Sequence, residues 1–274
     1  MSRNFELLQS LGRLDEVAQV EVGKQGPSVP DPSAFNPPAS DSSSAELSAP
    51  DLSAAHSTGT YLLRLEGAER DETTKLVSRL FLLPEVEAPR CVVFSGADSG
   101  TGCSRICAST AAVLAAQGAG SVCVLDANLR SPSLHQQFGL ENHYGLTDAL
   151  RGTERIRNYV SVLLGGKLSL LSSGSTVENW QTLLASQEMR TRMAELKEEY
   201  DYLLVDIPPL NLYADGIVLG KMSNGLILVI KANSSRREVA QKVVEEVKSS
   251  NVRLLGAILN ERRFPIPEAL YRHL

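Results

Sequence analysis

Three apolar runs of the sequence end in residues that suit phosphate or metal chemistry. The first run, 91–94, leads into a loop with the sequence SGADSGTGCSR over residues 95–105. Gly96, Gly100 and Gly102 let backbone N–H groups of this loop turn towards an anion. The helix predicted after the loop adds the partial positive charge of its N-terminus. The loop therefore has the backbone expected of a phosphate-binding site.

The side chains of this loop depart from the P-loop pattern G-x-x-x-x-G-K-[ST], which supplies a lysine for the phosphates and a hydroxyl for Mg²⁺. The last three positions of the pattern fall on Gly102, Cys103 and Ser104, and its first glycine falls on Ala97. A neutral thiol has one weak donor and does not replace an ammonium group. We therefore expect a nucleotide site that has kept its shape and lost its main positive charge. Residues 96–104 are called the phosphate loop below.

Two further apolar runs deliver an aspartate to the same predicted edge of a sheet. Asp126 ends the run 121–126, and Asp206 ends the run 202–206. Ligands of open α/β sheets bind outside the carboxyl ends of the strands, and a carboxylate at the end of a buried strand is costly without a partner. With the Ser104 hydroxyl, the two aspartates predict a Mg²⁺ site. The alternative is that each aspartate only caps the turn that follows it.

Strands and helices alternate from about residue 89, which predicts an α/β fold with a mostly parallel sheet and helices on both faces. A short strand, 61–65, is predicted before this region. The main predicted strands are 91–95, 121–126, 168–172, 202–206, 225–231 and 253–259. The predicted helices are 71–83, 103–117, 178–198, about 214–221 and 235–250, with shorter helical turns near 132–137 and 146–151.

The beginning of the chain predicts an amphipathic helix over residues 1–22. Phe5, Leu8 and Leu11 recur at helical spacing, although Gly12 weakens the pattern. The polar face carries both signs of charge, so a basic membrane-surface helix is not favoured. The functional interpretation is a partner-docking helix, and the alternative is a loosely formed helix with no dedicated partner.

A stretch rich in Pro and Ser separates this helix from the α/β region. Residues 23–59 hold few large apolar side chains, so they cannot offset the entropy of ordering, and a disordered linker is predicted. The remaining residues, 60–274, are predicted to form the P-loop domain. With 43% hydrophobic and 5% aromatic residues, the chain suits an aliphatic core.

Composition also excludes several classes of protein. The net charge of −5 argues against nucleic-acid binding. No apolar run reaches the length of a transmembrane helix, and the N-terminus lacks the apolar core of a secretory signal. Of the four cysteines, Cys103 and Cys107 lie one helical turn apart without a second pair at zinc-ligand spacing. Buried thiols in a cytoplasmic protein are therefore the favoured interpretation.

Several runs of this sequence resemble the bacterial tyrosine autokinases (BY-kinases) of capsule and exopolysaccharide assembly. That family has T-S-x-x-P-G-E-G-K-S-T, then D-A-D-L-R-x-P after a strand, then Y-D-x-x-x-x-D-x-P-P. The matching runs, in the same order, are 95–105, 126–132 and 200–209. Shorter matches follow the same order at 134–140, 145–150, 214–215 and 255–260.

The resemblance implies a P-loop domain that binds ATP with Mg²⁺ and phosphorylates a tyrosine cluster on a neighbouring subunit. It implies action with a membrane copolymerase that controls polysaccharide chain length and export. Asp126 would be the catalytic carboxylate, and Ser104, Asp126 and Asp206 would hold Mg²⁺. The nucleotide-binding residues implied are Gly100, Thr101, Gly102, Cys103, Ser104 and Arg105, together with Asn260, which would recognise the base.

The departures from the family pattern predict a degenerate kinase that binds ATP and Mg²⁺ weakly or not at all. Cys103 replaces the lysine, Asn128 replaces the second aspartate of D-A-D-L-R, and Tyr271 is the only tyrosine of the C-terminal tail. The family's oligomerisation pattern E-x-x-R-x-x-R is only partly present from Glu72 onwards. Arg105 is adjacent to the missing lysine, but its side chain is expected to point along the helix.

The sequence is compatible with three functions. The first is a catalytically impaired cytoplasmic regulator or scaffold, recruited to the inner face of the membrane by a copolymerase or another exopolysaccharide assembly protein, and capable of forming a homo-oligomer. The second is an active ATP-dependent tyrosine kinase in which a basic group from elsewhere replaces the lysine. The third is a partition or division-site ATPase, whose additional loop lysine would fall at Asp98, where an acidic residue counts against it.

Overall fold

One sheet organises the part of the chain that the computed structural model describes, residues 17–19, 63–83 and 88–262. Its strand order is β1-β8-β7-β2-β6-β3-β5-β4, and the pairs are parallel except β4 with β5. The strands are β1 Val17–Gln19, β2 Cys91–Gly96, β3 Val122–Asp126, β4 Ser161–Leu163, β5 Leu168–Leu171, β6 Tyr202–Ile207, β7 Gly225–Lys231 and β8 Leu254–Asn260.

Helices cover both faces of this sheet, as predicted. The first three pack with one buried cluster, and the others pack with a second cluster on the opposite face. A π-helical turn, Ser78–Leu82, continues the first helix. The helices are α1 Gly67–Val77, α2 Cys103–Ala116, α3 Leu134–Phe138, α4 Leu146–Arg151, α5 Trp180–Leu184, α6 Gln187–Glu199, α7 Asp215–Lys221 and α8 Arg237–Ser249, with 3₁₀ turns at Ile156–Tyr159 and Leu164–Gly166.

The apolar run of β2 explains how the sheet joins the two clusters. All its residues are buried, and successive side chains of a strand point to opposite faces. Cys91 and Val93 therefore pack into one cluster, while Val92 and Phe94 pack into the other. A continuous apolar run, instead of an alternating one, is what a parallel strand covered on both sides requires.

The six main predicted strands and most of the helices are confirmed, with differences at helix ends and at one short strand. The predicted helix 178–198 is divided into α5 and α6 because the Ser186 hydroxyl caps α6, accepting from the Met189 N–H at 3.1 Å. The edge strand β4 was not predicted, since three residues are too few to show a pattern. The described part of the predicted strand 61–65 is not a strand.

The N-terminal prediction is wrong where it can be compared with the structure. Val17–Gln19, inside the predicted helix 1–22, form strand β1, and Val17 pairs with Ala257 of β8 in parallel register. The free N–H and C=O groups along an edge strand can recruit a neighbouring extended segment, which explains why a strand replaces helix there. Phe5, Leu8, Leu11 and the predicted linker 23–59 lie outside the described residues.

None of the helices in the described part of the chain is both long enough and apolar enough to cross a bilayer.

Burial of the central strands predicts a large cost for truncating one of their leucines. Leu204, in the middle of β6, is fully buried, so Leu204→Ala should lower the free energy of unfolding by about 2–5 kcal/mol. The control is Leu212→Ala, at a leucine that is 51% exposed, with an expected change within about 0.5 kcal/mol. Urea unfolding measures both, and equal changes would contradict the described core.

Candidate functional site

The candidate site is a cleft at the carboxyl edge of the sheet, where the phosphate loop joins β2 to α2. β2 pairs with β6 on one side and with β7 on the other, so the ends of these strands surround the loop. The cleft is open to solvent and has a volume of about 300 Å³, at the lower end of the usual range of ligand pockets. Its described lining residues are Gly96, Asp98, Gly100, Thr101, Gly102, Cys103, Ser104, Arg105, Asn128, Ser133, Gln137, Ile207 and Pro209.

Glycine is needed at two positions of the phosphate loop for its backbone conformation. Gly100 has φ +73° and Gly102 has φ +79°, in the left-handed region that side chains with a Cβ rarely adopt. Gly102 is also the N-cap of α2 and offers no side chain to the first N–H groups of that helix. Because those groups have no partner within an α-helix, they stay available to an anion.

Asn260, at the end of β8, binds the backbone of the phosphate loop. Its Nδ2 donates to the Thr101 carbonyl at 2.7 Å, and its Oδ1 accepts from the Glu261 N–H at 2.9 Å. A Cβ on Gly102 would collide with the Asn260 amide. The side chain is only 2% exposed, so the structure gives Asn260 a role in loop shape, and recognition of a base stays a prediction.

Cys103 occupies the position of the P-loop lysine as a neutral thiol. It is partly buried in the first turn of α2. Burial, followed by the negative charge of nearby Asp206, raises the pKa of the Cys103 thiol well above its ordinary value. The site therefore has neither a cation nor a thiolate at this position at neutral pH.

Arg105 does not replace that lysine in this conformation, because its guanidinium is held by Glu69 of α1. Nε donates to Glu69 Oε1 at 2.7 Å, and Nη2 donates to Oε2 at 2.9 Å. The Glu69 side chain is 10% exposed, and a bidentate pair of this kind is geometrically specific. Arg105 lines the cleft, but its charge is directed to the contact between α1 and α2, and its nucleotide-binding role stays a prediction.

Asp206 is a buried acidic side chain whose only nearby donors are the Ser104 hydroxyl and the Cys103 thiol, and neither reaches standard hydrogen-bond geometry in the described residues. Neither oxygen accepts a backbone N–H, and the residue is fully buried at the end of β6. Burial, and then the carboxylate of Asp126, raise the pKa of Asp206 to about 8. An orphaned carboxylate beside a phosphate loop fits a Mg²⁺ ion, which prefers oxygen ligands and keeps several waters. Ser104, the second residue of α2, lies beside Asp206, where its hydroxyl lowers the pKa of that aspartate, and it completes the predicted donor set.

Asp126 is the direct neighbour of Asp206 in the sheet, yet it has a different environment. Its oxygens accept backbone N–H groups of Asn128 at 3.2 Å and of Ser133 and Leu134 at 3.0 Å each. Burial raises the pKa of Asp126 to about 6, although the three backbone donors act in the opposite direction and lower it. Asp126 therefore shapes the turn after β3, which is the alternative left open by the sequence. Its catalytic and metal-binding roles stay predictions.

The described residues contain no group of three or more His, Cys, Asp or Glu side chains suited to hold a metal ion without other ligands. A Mg²⁺ ion at this edge would therefore depend on oxygens from the nucleotide and from water, as is usual for Mg²⁺ bound with phosphates. The two aspartates meet as predicted, but backbone N–H groups occupy only Asp126.

Sequence reasoning missed a polar network on the other side of the loop. Lys231 ends β7, and its Nζ donates to the Gly100 carbonyl at 3.5 Å and pairs with Glu261 at 3.0 Å. Ser235 donates to Asp98 of the loop at 3.0 Å. The signal that identified Asp126 and Asp206, a charged residue at the end of an apolar strand, was equally present at Lys231.

The raised pKa of Asp206 predicts a pH dependence of stability in the absence of Mg²⁺. The folded state keeps this proton up to about pH 8, whereas an unfolded aspartate loses it near pH 4. The stabilising contribution is complete below about pH 4 and is lost as the pH rises through about 8. Asp206→Asn should flatten this decline and stabilise the protein at pH 8 by on the order of a few kcal/mol.

The matched control is Asp201→Asn, at the residue just before the same strand. Hydrogen bonds from the Ser121 N–H and hydroxyl lower the pKa of Asp201, so its contribution is lost as the pH falls, not as it rises. Urea unfolding between pH 4 and 9 should therefore show that the free energy of unfolding of this control still declines as the pH rises. An unchanged decline in Asp206→Asn would contradict the assignment.

Comparisons with known proteins agree with this geometry. Residues 88–272 match the family described as ParA, NUBPL iron-transfer P-loop NTPase. The tyrosine-protein kinase YwqD of Bacillus subtilis is 34% identical over 174 residues, which are 64% of this chain and 73% of that protein. The putative tyrosine-protein kinase EpsB of Ralstonia solanacearum is 31% identical over 169 residues, 62% of this chain. The chain spans only 22% of that longer relative.

A solved structure shows the same fold. The kinase domain of the Escherichia coli tyrosine kinase ETK superposes with a TM-score of 0.65 at 24% identity, covering 73% of this chain and 79% of that one. The family match extends over more than half of the chain and includes the phosphate loop, Asp126, Asp206 and Asn260. The chain therefore belongs to the ParA-type P-loop NTPases, and within them to the relatives of the bacterial tyrosine-protein kinases.

Proposed function

We propose that this protein is a nucleotide-binding relative of the bacterial tyrosine autokinases with impaired phosphoryl transfer, and that it acts as a regulator or scaffold. The observation that carries the proposal is the neutral Cys103 at the position of the P-loop lysine, in a loop whose backbone is otherwise suited to phosphate. A loop that keeps a phosphate-binding backbone but lacks the lysine is better suited to binding a nucleotide than to phosphoryl transfer.

Support for nucleotide binding comes from the backbone and from Asp206. Gly100 and Gly102 hold the loop open, and α2 directs its first N–H groups to the cleft. Ser104 and Asp206 would hold Mg²⁺, which would neutralise charge on the phosphates when ATP is bound. ATP with Mg²⁺ is therefore the proposed ligand, bound more weakly than in a P-loop with its lysine.

Support for impaired catalysis comes from the charges at the loop. A charge-assisted contact contributes about 1.5–3 kcal/mol to binding, and a cation at the transferred phosphoryl group stabilises the negative charge of the transition state. Cys103 supplies no charge, and Arg105 is committed to Glu69. The loss therefore affects the transition state as well as the bound nucleotide.

The cellular role is proposed from the resemblance to the autokinase family. It is regulation or scaffolding of exopolysaccharide or capsule assembly in the cytoplasm. A membrane polysaccharide copolymerase or another assembly protein would be the partner and would recruit the protein to the inner face of the membrane. The same proposal includes self-association into a homo-oligomer. It does not include binding of nucleic acid.

An active kinase is the second candidate, and the 34% identity to a protein named a tyrosine-protein kinase favours it. It requires a cation from outside the usual loop position. The partition ATPase is less well supported, because Asp98 occupies the place of its additional lysine and accepts a hydrogen bond from Ser235.

Restoring the lysine at position 103 tests whether the missing charge limits nucleotide binding. Cys103→Lys should strengthen binding of a fluorescent ATP analogue with Mg²⁺ by about 10- to 100-fold, because it adds a charge-assisted contact. Cys103→Ser, the neutral control, should leave the affinity near that of the unsubstituted protein. The unsubstituted protein should show no transfer from labelled ATP to tyrosine. Strong tyrosine labelling would overturn impaired catalysis, and no gain with Cys103→Lys would show that the charge is not the limiting defect.

The N-terminal docking proposal concerns Phe5, Leu8 and Leu11. Replacing all three with Ser should abolish pull-down of the polysaccharide copolymerase, because the apolar stripe is lost, and should leave the melting temperature nearly unchanged. The control replaces polar residues of the same segment, Arg3 and Glu6, with Ala and should retain the pull-down. A large fall in melting temperature would instead show that the stripe packs on the core.

A further inference from the structure

We infer that Lys231 supplies the phosphate-binding cation that position 103 lacks. The inference rests on the proposed nucleotide binding and deepens it by naming a residue of the same site. In the bound state, the Lys231 ammonium would leave Glu261 and contact the phosphate groups of the nucleotide. Lys231 would then support binding, while the loop stays without the cation that usually acts on the transferred group.

The strand order places Lys231 next to the phosphate loop. Lys231 is the last residue of β7, and β7 is the direct neighbour of β2, which leads into the loop. The Lys231 Nζ donates to the carbonyl of Gly100 at 3.5 Å. Gly100 lines the cleft, so the ammonium is within a long hydrogen bond of a residue at the proposed phosphate position.

The backbone of Lys231 is fixed relative to the loop by Ser235. The Lys231 N–H donates to the Ser235 hydroxyl at 3.0 Å, and that hydroxyl donates to Asp98 Oδ1 at 3.0 Å. Asp98 also lines the cleft. This chain of contacts gives the lysine stem a fixed origin, so that rotation of its flexible side chain is enough to change the partner of the ammonium.

The present partners of the ammonium are ones that a phosphate can replace. The Lys231 and Glu261 side chains are 31% and 39% exposed, and their charged atoms are 3.0 Å apart. Ion pairs with this much access to water contribute little to stability. The bond to Gly100 is at the upper limit of length. A polyphosphate brings several negative charges to the same place, so it competes effectively with one carboxylate.

Two other described arginines, Arg105 and Arg130, have partners of their own. Arg105 is the only basic residue among the described residues that line the cleft, and Glu69 binds it at two points. The Arg130 guanidinium lies over two aromatic rings, 4.2 Å from the centroid of Tyr213 and 5.2 Å from that of Trp180. Lys231 combines proximity to the loop with weakly held partners.

The alternative is a purely structural lysine that ties Gly100 to Glu261. The two roles differ in what they do to a ligand without phosphates. A lysine that contacts phosphate affects the affinity for ATP but not for adenosine, whereas a lysine that only shapes the loop affects both. Contact with phosphate also depends on the positive charge, so arginine should be able to replace lysine in that role.

The experiment compares Lys231→Met with Lys231→Arg in the full chain, with Lys221→Met as control. Lys221 is an exposed lysine at the end of α7, before β7 begins, so it lies at the opposite edge of the sheet. Displacement of a fluorescent ATP analogue measures the affinities for ATP with Mg²⁺ and for adenosine. Lys231→Met should weaken ATP binding by about tenfold or more, the effect of one lost charge-assisted contact. Adenosine binding should not change.

Lys231→Arg should retain most of the ATP affinity, and Lys221→Met should match the unsubstituted protein. Melting temperatures show that each variant is folded. Unchanged ATP affinity in Lys231→Met would overturn this inference and leave the proposed nucleotide binding intact. An equal loss for ATP and adenosine would assign Lys231 a structural role and would also overturn it. Failure of the unsubstituted protein to bind ATP would overturn the proposed function and this inference together.

Discussion

The parallel register of the central strands is the constraint on which the site depends. It brings the ends of β2, β6, β7 and β8 to one edge, and each of them ends in a group that contacts or borders the phosphate loop. Because the strands are buried on both faces, polar groups at their ends are desolvated and need partners. Which partners they find determines the charge of the site, and therefore what it can bind.

The two neighbouring aspartates show how far partners matter. Asp126 and Asp206 lie opposite each other in register, and both are fully buried. The turn after β3 folds back on Asp126 and gives it three backbone donors, whereas Asp206 receives no backbone donor among the described residues and has only the Ser104 and Cys103 side chains near it. Asp126 is thereby tied to its own turn, whereas the oxygens of Asp206 are not tied to the backbone.

The positive charges show the same effect in a different form. Arg105 follows the phosphate loop in the sequence, but α1 presents Glu69 to it and removes it from the cleft. Lys231 is distant in the sequence, but strand pairing brings it to Gly100. Proximity along the chain is therefore a poor guide to the cation of this site, since the helix and the strand that hold these side chains lie on different sides of the loop.

The sequence by itself determined the phosphate loop, the six main strands, the helices on both faces and the position of both aspartates at one edge. Apolar runs and glycine spacing are local signals, and they carry that information directly. Only the tertiary structure decided that Asn260 hydrogen-bonds to the loop backbone, that Glu69 pairs with Arg105, and that Val17–Gln19 join β8 as a strand. Each of these contacts joins residues far apart in the chain, and no local pattern records a partner that folding brings from elsewhere.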